Sequence, residues 1–199
     1  MTGDAARAYH SEQIATFAGT DADLVSAFTL NYVDEAIGIV RAAREHAMPV
    51  VISFTVETDG RLPSGDTLAD AIGRTDDATA GYAAYYMLNC AHPTHFAAVL
   101  EQGSDWLGRL QGVRANSSKR SHAELDNSTE LDTGNPEELG AEYRDLRDAM
   151  PTLTVVGGCC GTDHRHVDAI GRHLKGWSGG PASAARPLTF RHTRIIIRV

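Results

Sequence analysis

Short apolar runs recur along the chain and alternate with segments of helical periodicity. Runs such as VVISFTV are almost continuously apolar. That pattern is typical of strands buried on both faces of a parallel sheet, not of strands with one face in water. Five strands are predicted on this basis: Leu24–Phe28, Val50–Val56, Tyr85–Leu88, Leu110–Ala115 and Leu153–Val156.

Helices are predicted before the first strand and between most of the others. In the segment Val33–Ala47, apolar residues recur every three or four positions, so they fall on one face of a helix. The alternation of strands and helices predicts an α/β fold built on a parallel sheet. The predicted helices are Tyr9–Ala18, Val33–Ala47, Thr94–Glu101, Glu137–Ala149 and Asp163–Leu174.

The length of 199 residues is that of one ordinary domain, and we assign residues 1–175 to it. The polar segment 117–135 follows the fourth strand and is predicted to be a solvated loop, with a lid over the site as a second possibility. Residues 176–199 are rich in Gly, Ala, Ser and Pro and are predicted to form a poorly ordered tail. That tail ends in RIIIRV, which resembles a short strand.

The charge balance bears on the partners and the location of the protein. The formal net charge is -8, so no basic patch is available for a nucleic-acid phosphate backbone. No apolar run approaches the roughly 20 residues that span a bilayer. The N-terminal segment MTGDAARAYHSEQ lacks the apolar region of a secretory signal. The sequence therefore favours a cytoplasmic protein with neither a nucleic-acid nor a membrane partner.

The three cysteines all follow predicted strands. Cys90 comes directly after the third strand, and Cys159 and Cys160 follow the fifth strand across Gly157 and Gly158. The carboxyl ends of parallel strands lie at one edge of a sheet, where α/β proteins bind their ligands. Three thiolates at that edge suit Zn²⁺, with a fourth position left for water or substrate. The two glycines are predicted to let the backbone turn sharply there.

The cysteines also fit two roles that need no metal. Free cysteine is among the most frequently buried residue types, so all three could be ordinary core residues. Cys159 and Cys160 could instead form a redox pair, although adjacent cysteines make strained disulfides and the usual redox motif is C-x-x-C. The sequence pattern leaves both roles open.

Three motifs resemble the homocysteine S-methyltransferase family. They are LNCAHP, the ANSS after the fourth strand, and GGCCGTDHRHVDAI, and the resemblance extends from about Tyr9 to Leu174. It implies a zinc-dependent (β/α)8 TIM barrel that transfers a methyl group to the thiol of homocysteine, a reaction of methionine biosynthesis. It also implies that Cys90, Cys159 and Cys160 are the zinc ligands.

The chain departs from the family pattern in two places. The five strands correspond to the last five of the eight, and the opening strands with their Asp-Gly-Gly segment are absent. We therefore predict a partial (β/α)8 barrel of about five βα units. In addition, AFTLN stands where the family commonly has Glu-Thr, so Phe28 or Ala27 occupies the place of the acid. Glu57 could supply a carboxylate from the next strand instead.

Other polar residues near the strand ends are candidates for substrate binding. Asn89 and Asn116 could hydrogen-bond a polar substrate, and Glu57 could bind its amino group. His92 or His95 could be a fourth metal ligand or contact a substrate carboxylate. His164 and His166 are two positions apart on a predicted helix and cannot share a face, so they are interpreted as surface or helix-start residues.

The sequence thus predicts a zinc-dependent S-methyltransferase that acts on homocysteine or a related small thiol. The methyl donor would be a sulfonium, a quaternary ammonium or a folate. Two alternatives are a non-catalytic zinc-binding fragment and one half of a split methyltransferase. Because a five-stranded barrel segment leaves two sheet edges open, we also expect a homo-oligomer or a partner chain that supplies the missing strands.

Overall fold

The computed structural model describes residues 1–100 and 105–175. Its five strands form a single parallel sheet in which spatial order follows chain order. This order, with helices between successive strands, is that of a segment of a (β/α)8 barrel and not of a doubly wound sheet. The predicted fold class is therefore confirmed. The strands are β1 (Val25–Leu30), β2 (Val50–Phe54), β3 (Tyr85–Asn89), β4 (Leu110–Ala115) and β5 (Val155–Gly158).

The helices cover the outer face of this curved sheet. The main hydrophobic core lies between the two layers and includes Phe54, Ile72, Tyr86 and Tyr143, which are all fully buried. The helix α1 packs on α2, and a Cβ at Gly38 would lie 2.4 Å from the Cβ of Ala6. The helices are α1 (Gly3–Ala18), α2 (Val33–Glu45), α3 (Leu68–Thr79), α4 (Pro93–Leu100), α5 (His122–Asp126), α6 (Pro136–Ala149) and α7 (His164–His173), with a 3-10 turn over Asp105–Arg109.

The two outermost strands differ from their predicted bounds. Both β1 and β5 lie further along the chain than expected, and β5 includes both glycines. Gly157 and Gly158 pair with Arg114 and Ala115 of β4, so the predicted sharp turn at the glycines is wrong. Gly158 serves close packing instead, because a Cβ there would lie 2.1 Å from the Thr162 hydroxyl oxygen.

Two helices lie where none was predicted, and both carry a start signal. α3 follows Thr67, whose hydroxyl accepts the Asp70 N–H at its first turn. α5 follows Ser121, which forms a capping box with Glu124 inside the segment predicted to be a loop.

The concave face of the sheet holds a second, smaller apolar cluster. Phe28, Val51 and Met87 are buried there, and Gly112 makes room for the Met87 side chain. The Arg114 guanidinium carbon lies 5.1 Å from the centre of the Phe28 ring, which joins β4 to β1 across this face.

Both edges of the sheet are unpaired within the described residues, since β1 and β5 each have one neighbouring strand. The predicted tail, residues 176–199 with its RIIIRV segment, lies outside the described residues. Among the helices of the described part of the chain, none is both long and apolar enough to cross a membrane.

Tyr143 of α6 ties β5 to β4. Its buried hydroxyl accepts the Ala115 N–H at 2.9 Å and donates to the Gly157 carbonyl at 2.6 Å. Burial raises the pKa of this phenol, so it remains a donor at neutral pH. The side chain therefore satisfies two backbone groups at the end of the sheet that carries two of the cysteines.

Tyr143→Phe should destabilise the protein by about 1–3 kcal/mol, because the variant loses the hydroxyl that accepts from the Ala115 N–H and donates to the Gly157 carbonyl. Urea denaturation followed by circular dichroism measures this change. Tyr9→Phe is the matched control, since Tyr9 is 71% exposed. Equal stability of the two variants would contradict the bridging role of Tyr143.

Candidate metal centre

The three cysteines converge at the carboxyl edge of the sheet, as predicted. Their sulfur atoms all lie within 4.8 Å of one another, and the Sγ atoms of Cys90 and Cys160 are 3.4 Å apart. Cys160 is exposed and the other two are partly exposed. The alternative of ordinary core cysteines is therefore wrong.

An unusual backbone conformation directs Cys90 toward the other two cysteines. Its φ is +60°, in the left-handed region that residues with a side chain seldom occupy. The Cys90 N–H donates to the Arg114 carbonyl at 3.2 Å, so the preceding strand ends in register with β4. Such a conformation persists only where surrounding contacts hold it.

Asn116 holds the two cysteine loops together. Its buried side chain donates from Nδ2 to the Cys90 carbonyl at 3.0 Å and accepts the Cys160 N–H at Oδ1 at 3.1 Å. One amide group thus links the segment after β3 to the segment after β5. Because both contacts go to backbone atoms, the link fixes the chain positions from which the sulfur atoms project.

The second loop turns after the cysteines, not before them. Cys159 extends the sheet by donating its N–H to the Ala115 carbonyl at 2.8 Å. The turn follows at Gly161, which has a φ of +77°. A Cβ at Gly161 would lie 2.1 Å from the Ser117 hydroxyl oxygen, so glycine is required by both conformation and space.

The pKa values of Cys90 and Cys159 are shifted in opposite directions. Hydrogen bonding from the Cys90 thiol lowers the pKa of Cys159 to about 5, although burial acts in the opposite direction. The Cys160 N–H and the positive charge of Arg114 also lower it. The same hydrogen bond, followed by burial, raises the pKa of Cys90. The contact between the two thiols thus favours the charged form of Cys159 and the neutral form of Cys90.

The donor set fits a zinc ion. Tetrahedral Zn²⁺ with Zn–S distances of about 2.3 Å places its sulfur ligands about 3.8 Å apart. The observed spacing, from 3.4 Å up to 4.8 Å, brackets that value, so small movements of the thiols would suffice. A tetrahedral ion held by three thiolates has a fourth position for another ligand. The close approach of all three favours a metal site over the two-thiol redox alternative.

A histidine outside the predicted set also holds the Cys90 peptide. His122 of α5 lies with Nε2 2.6 Å from the Cys90 carbonyl and Nδ1 3.3 Å from a Glu57 carboxylate oxygen. A carbonyl oxygen only accepts, so Nε2 donates to the Cys90 carbonyl. Burial opposes the charge, but the hydrogen bonds to Cys90 and to Glu57 together raise the pKa of His122.

The residues predicted to bind substrate all lie beside the cysteines. Asn89 is buried, accepts from the Ser53 hydroxyl at 2.7 Å and the Thr29 N–H at 2.9 Å, and donates to the Thr29 hydroxyl at 2.8 Å. Asn116 bonds both cysteine loops, and Glu57 accepts from His122. Each of the three thus has a positioning contact within the protein, and their substrate-binding role stays a prediction.

The other histidines lie away from the sulfur atoms. His92 is buried with Nε2 3.2 Å from a Glu142 carboxylate oxygen, and His95 bonds the Lys119 carbonyl. Within the described residues, neither belongs to the group that could hold a metal. His166 is fully buried and forms a capping box with Asp163. The helix-start interpretation of His166 is confirmed, and the surface interpretation is wrong.

Comparison with known proteins supports the resemblance seen in the motifs. The model of a protein family described as Homocysteine S-methyltransferase matches residues 1–174. The chain also resembles the crystal structure of the homocysteine methyltransferase MmuM from Escherichia coli in its apo form, with a TM-score of 0.63 and 20% identity. That match covers 87% of this chain and 57% of the other. Curated protein sequences give no significant match.

His122→Leu should weaken zinc binding about 10- to 100-fold, because the Cys90 peptide loses a donor that helps to fix its left-handed conformation. His122→Gln keeps an N–H donor and should restore part of the affinity. Competition with a chromophoric zinc chelator measures both effects.

His164→Leu is the matched control, because His164 is exposed at the start of α7. Zinc binding by His122→Leu that equals that of this control would show that His122 does not position Cys90.

Proposed function

Because the chain belongs to the homocysteine S-methyltransferase family, we propose that it is a zinc-dependent S-methyltransferase for homocysteine or a related small thiol. The observation that carries this proposal is the convergence of three cysteine sulfur atoms within 4.8 Å at the carboxyl edge of the sheet. Cys90, Cys159 and Cys160 would hold the ion. The chain spans 57% of the length of the structure to which it was compared, so its activity is inferred from the site.

The bound ion would supply the acidity that keeps an acceptor thiol deprotonated near neutral pH. The protein's own groups fix the cysteines and leave the cluster accessible for that chemistry. Asn116 and His122 fix the cysteine loops, and the exposed Cys160 leaves the cluster open to a small molecule. In-line methyl transfer requires that acceptor sulfur, methyl group and leaving group be aligned, which a fixed site provides.

Three further parts of the proposal concern substrate and location. The donor is a sulfonium, a quaternary ammonium or a folate, each of which carries an electrophilic methyl group. Asn89, Asn116 and Glu57 would contact the acceptor through the hydrogen-bonding capacity that their present bonds leave unused. A reducing compartment such as the cytoplasm would keep the three thiols free for the metal.

Purified protein should bind about one zinc ion per chain and transfer a methyl group from one of these donors to homocysteine. Cys159→Ser should lose most of the metal and, with it, the activity. Elemental analysis gives the zinc content, X-ray absorption gives the Zn–S distance, and mass spectrometry of the product gives methyl transfer.

Thr16→Ala on the exposed face of α1 is the control and should keep both properties. Absence of any Zn–S distance near about 2.3 Å would contradict the metal site. A folded, zinc-loaded chain that methylates no tested thiol would instead support the alternatives, a non-catalytic zinc-binding fragment or one half of a split enzyme.

The open sheet edges support a proposal about assembly. β1 and β5 present unpaired backbone groups within the described residues, and such edges recruit other strands. We propose that a second polypeptide, either another copy or a partner chain with further βα units, covers these edges.

Light scattering on the purified chain should therefore give a mass above the 21.4 kDa of one chain, or a shift to a defined complex when a partner is added. The unfolding transition should depend on protein concentration if the assembly is a homo-oligomer. A monodisperse monomer that melts cooperatively and binds no hydrophobic dye would contradict the proposal.

A further inference from the structure

A single arginine lies on the concave face of the sheet close to the sulfur cluster. Arg114 pairs with Asn89 in β3 and with Gly157 in β5. Cys90 comes one residue after Asn89, and Cys159 comes two residues after Gly157. Its side chain is partly buried, and Nε donates to the Gly158 carbonyl at 3.3 Å. The guanidinium therefore lies at the same edge as the three thiols.

No carboxylate neutralises this cation among the described residues. Arg109, which directly precedes the same strand, makes the contrast clear. Its guanidinium binds both oxygens of Asp76 and the carbonyls of Ala83 and Ala84. The Arg114 guanidinium makes one hydrogen bond and no ion pair within the described part of the chain. Its positive charge also lowers the pKa of Cys159, so the cation faces the sulfur cluster while most of its hydrogen-bond donors stay available to a ligand.

The Phe28 ring lies beside the Arg114 guanidinium. The guanidinium carbon is 5.1 Å from the ring centre, within the range of a cation–π contact. Nε is used by the Gly158 carbonyl, which leaves the two terminal nitrogens as donors. Two N–H groups in a fixed fork match the two oxygens of a carboxylate.

We propose that Arg114 binds the carboxylate of the thiol substrate, so that the protein selects small thiols that carry an acid group a few bonds from sulfur. This inference rests on the proposed function, since the substrate sulfur would occupy the metal while the carboxylate meets Arg114. Glu57 pairs with His122 at 3.3 Å and not with Arg114, so this carboxylate does not occupy the guanidinium.

The test compares two thiols with the same spacer between sulfur and end group, 4-mercaptobutyrate and 3-mercaptopropan-1-ol, on the cobalt-loaded protein. Thiol binding to cobalt changes the sulfur-to-metal charge-transfer band, which gives a dissociation constant for each. The wild-type protein should bind 4-mercaptobutyrate at least tenfold more tightly. Arg114→Met should abolish this preference, measured as the ratio of the two dissociation constants within each variant, and Arg114→Lys should restore part of it.

Arg41→Met is the control, because it removes one positive charge from the outer helix α2. A preference that survives in Arg114→Met, or that is lost equally in Arg41→Met, would overturn the proposal. The same two thiols are titrated into the metal-free chain by calorimetry. A protein that takes up no cobalt would overturn the zinc proposal, and the calorimetric preference for the acid would still decide the role of Arg114.

Discussion

The candidate site depends on one buried amide. Asn116 donates to the backbone of the first cysteine loop and accepts from the backbone of the second. Asn116 follows β4, which lies between β3 and β5. A side chain at the end of β4 can therefore contact the loops that follow both neighbouring strands. Without that link, Cys90 would keep its contacts with Arg114 and His122, but the Asn116 side chain would no longer join its loop to that of Cys160. With it, residues 70 positions apart in the chain present sulfur atoms 3.4 Å apart.

The fold and the cysteine cluster were predictable because both follow from local patterns. A continuous apolar run indicates a buried strand, and residues directly after parallel strands meet at one sheet edge. β4 was predicted with its observed bounds, and the motif around Cys159 and Cys160 identified the family. The missed α3 and α5 had capping signals at Thr67 and Ser121, so these helices were within reach of the sequence.

The environment of the cysteines was not predictable, because it depends on contacts between distant segments. His122 meets Glu57 across 65 residues and Cys90 across 32 residues. Neither spacing carries a periodic signal. The left-handed conformation of Cys90 could not be predicted from the sequence either, since cysteine has no special preference for it. The glycines before Cys159 suggested a turn, yet both belong to β5, and at Gly158 the side chain of Thr162 leaves no room for a Cβ.

Because β5 lies at the edge of the sheet, binding of a metal ion and pairing with a second polypeptide would act on the same strand. The strand has a free side within the described residues, and its last residue precedes Cys159 directly. A polypeptide that pairs along that side would order the same backbone that an ion would order. Binding free energies are reciprocal, so each event would strengthen the other by an equal factor. The quantity of metal in the cell would then help to set how much of the protein is assembled.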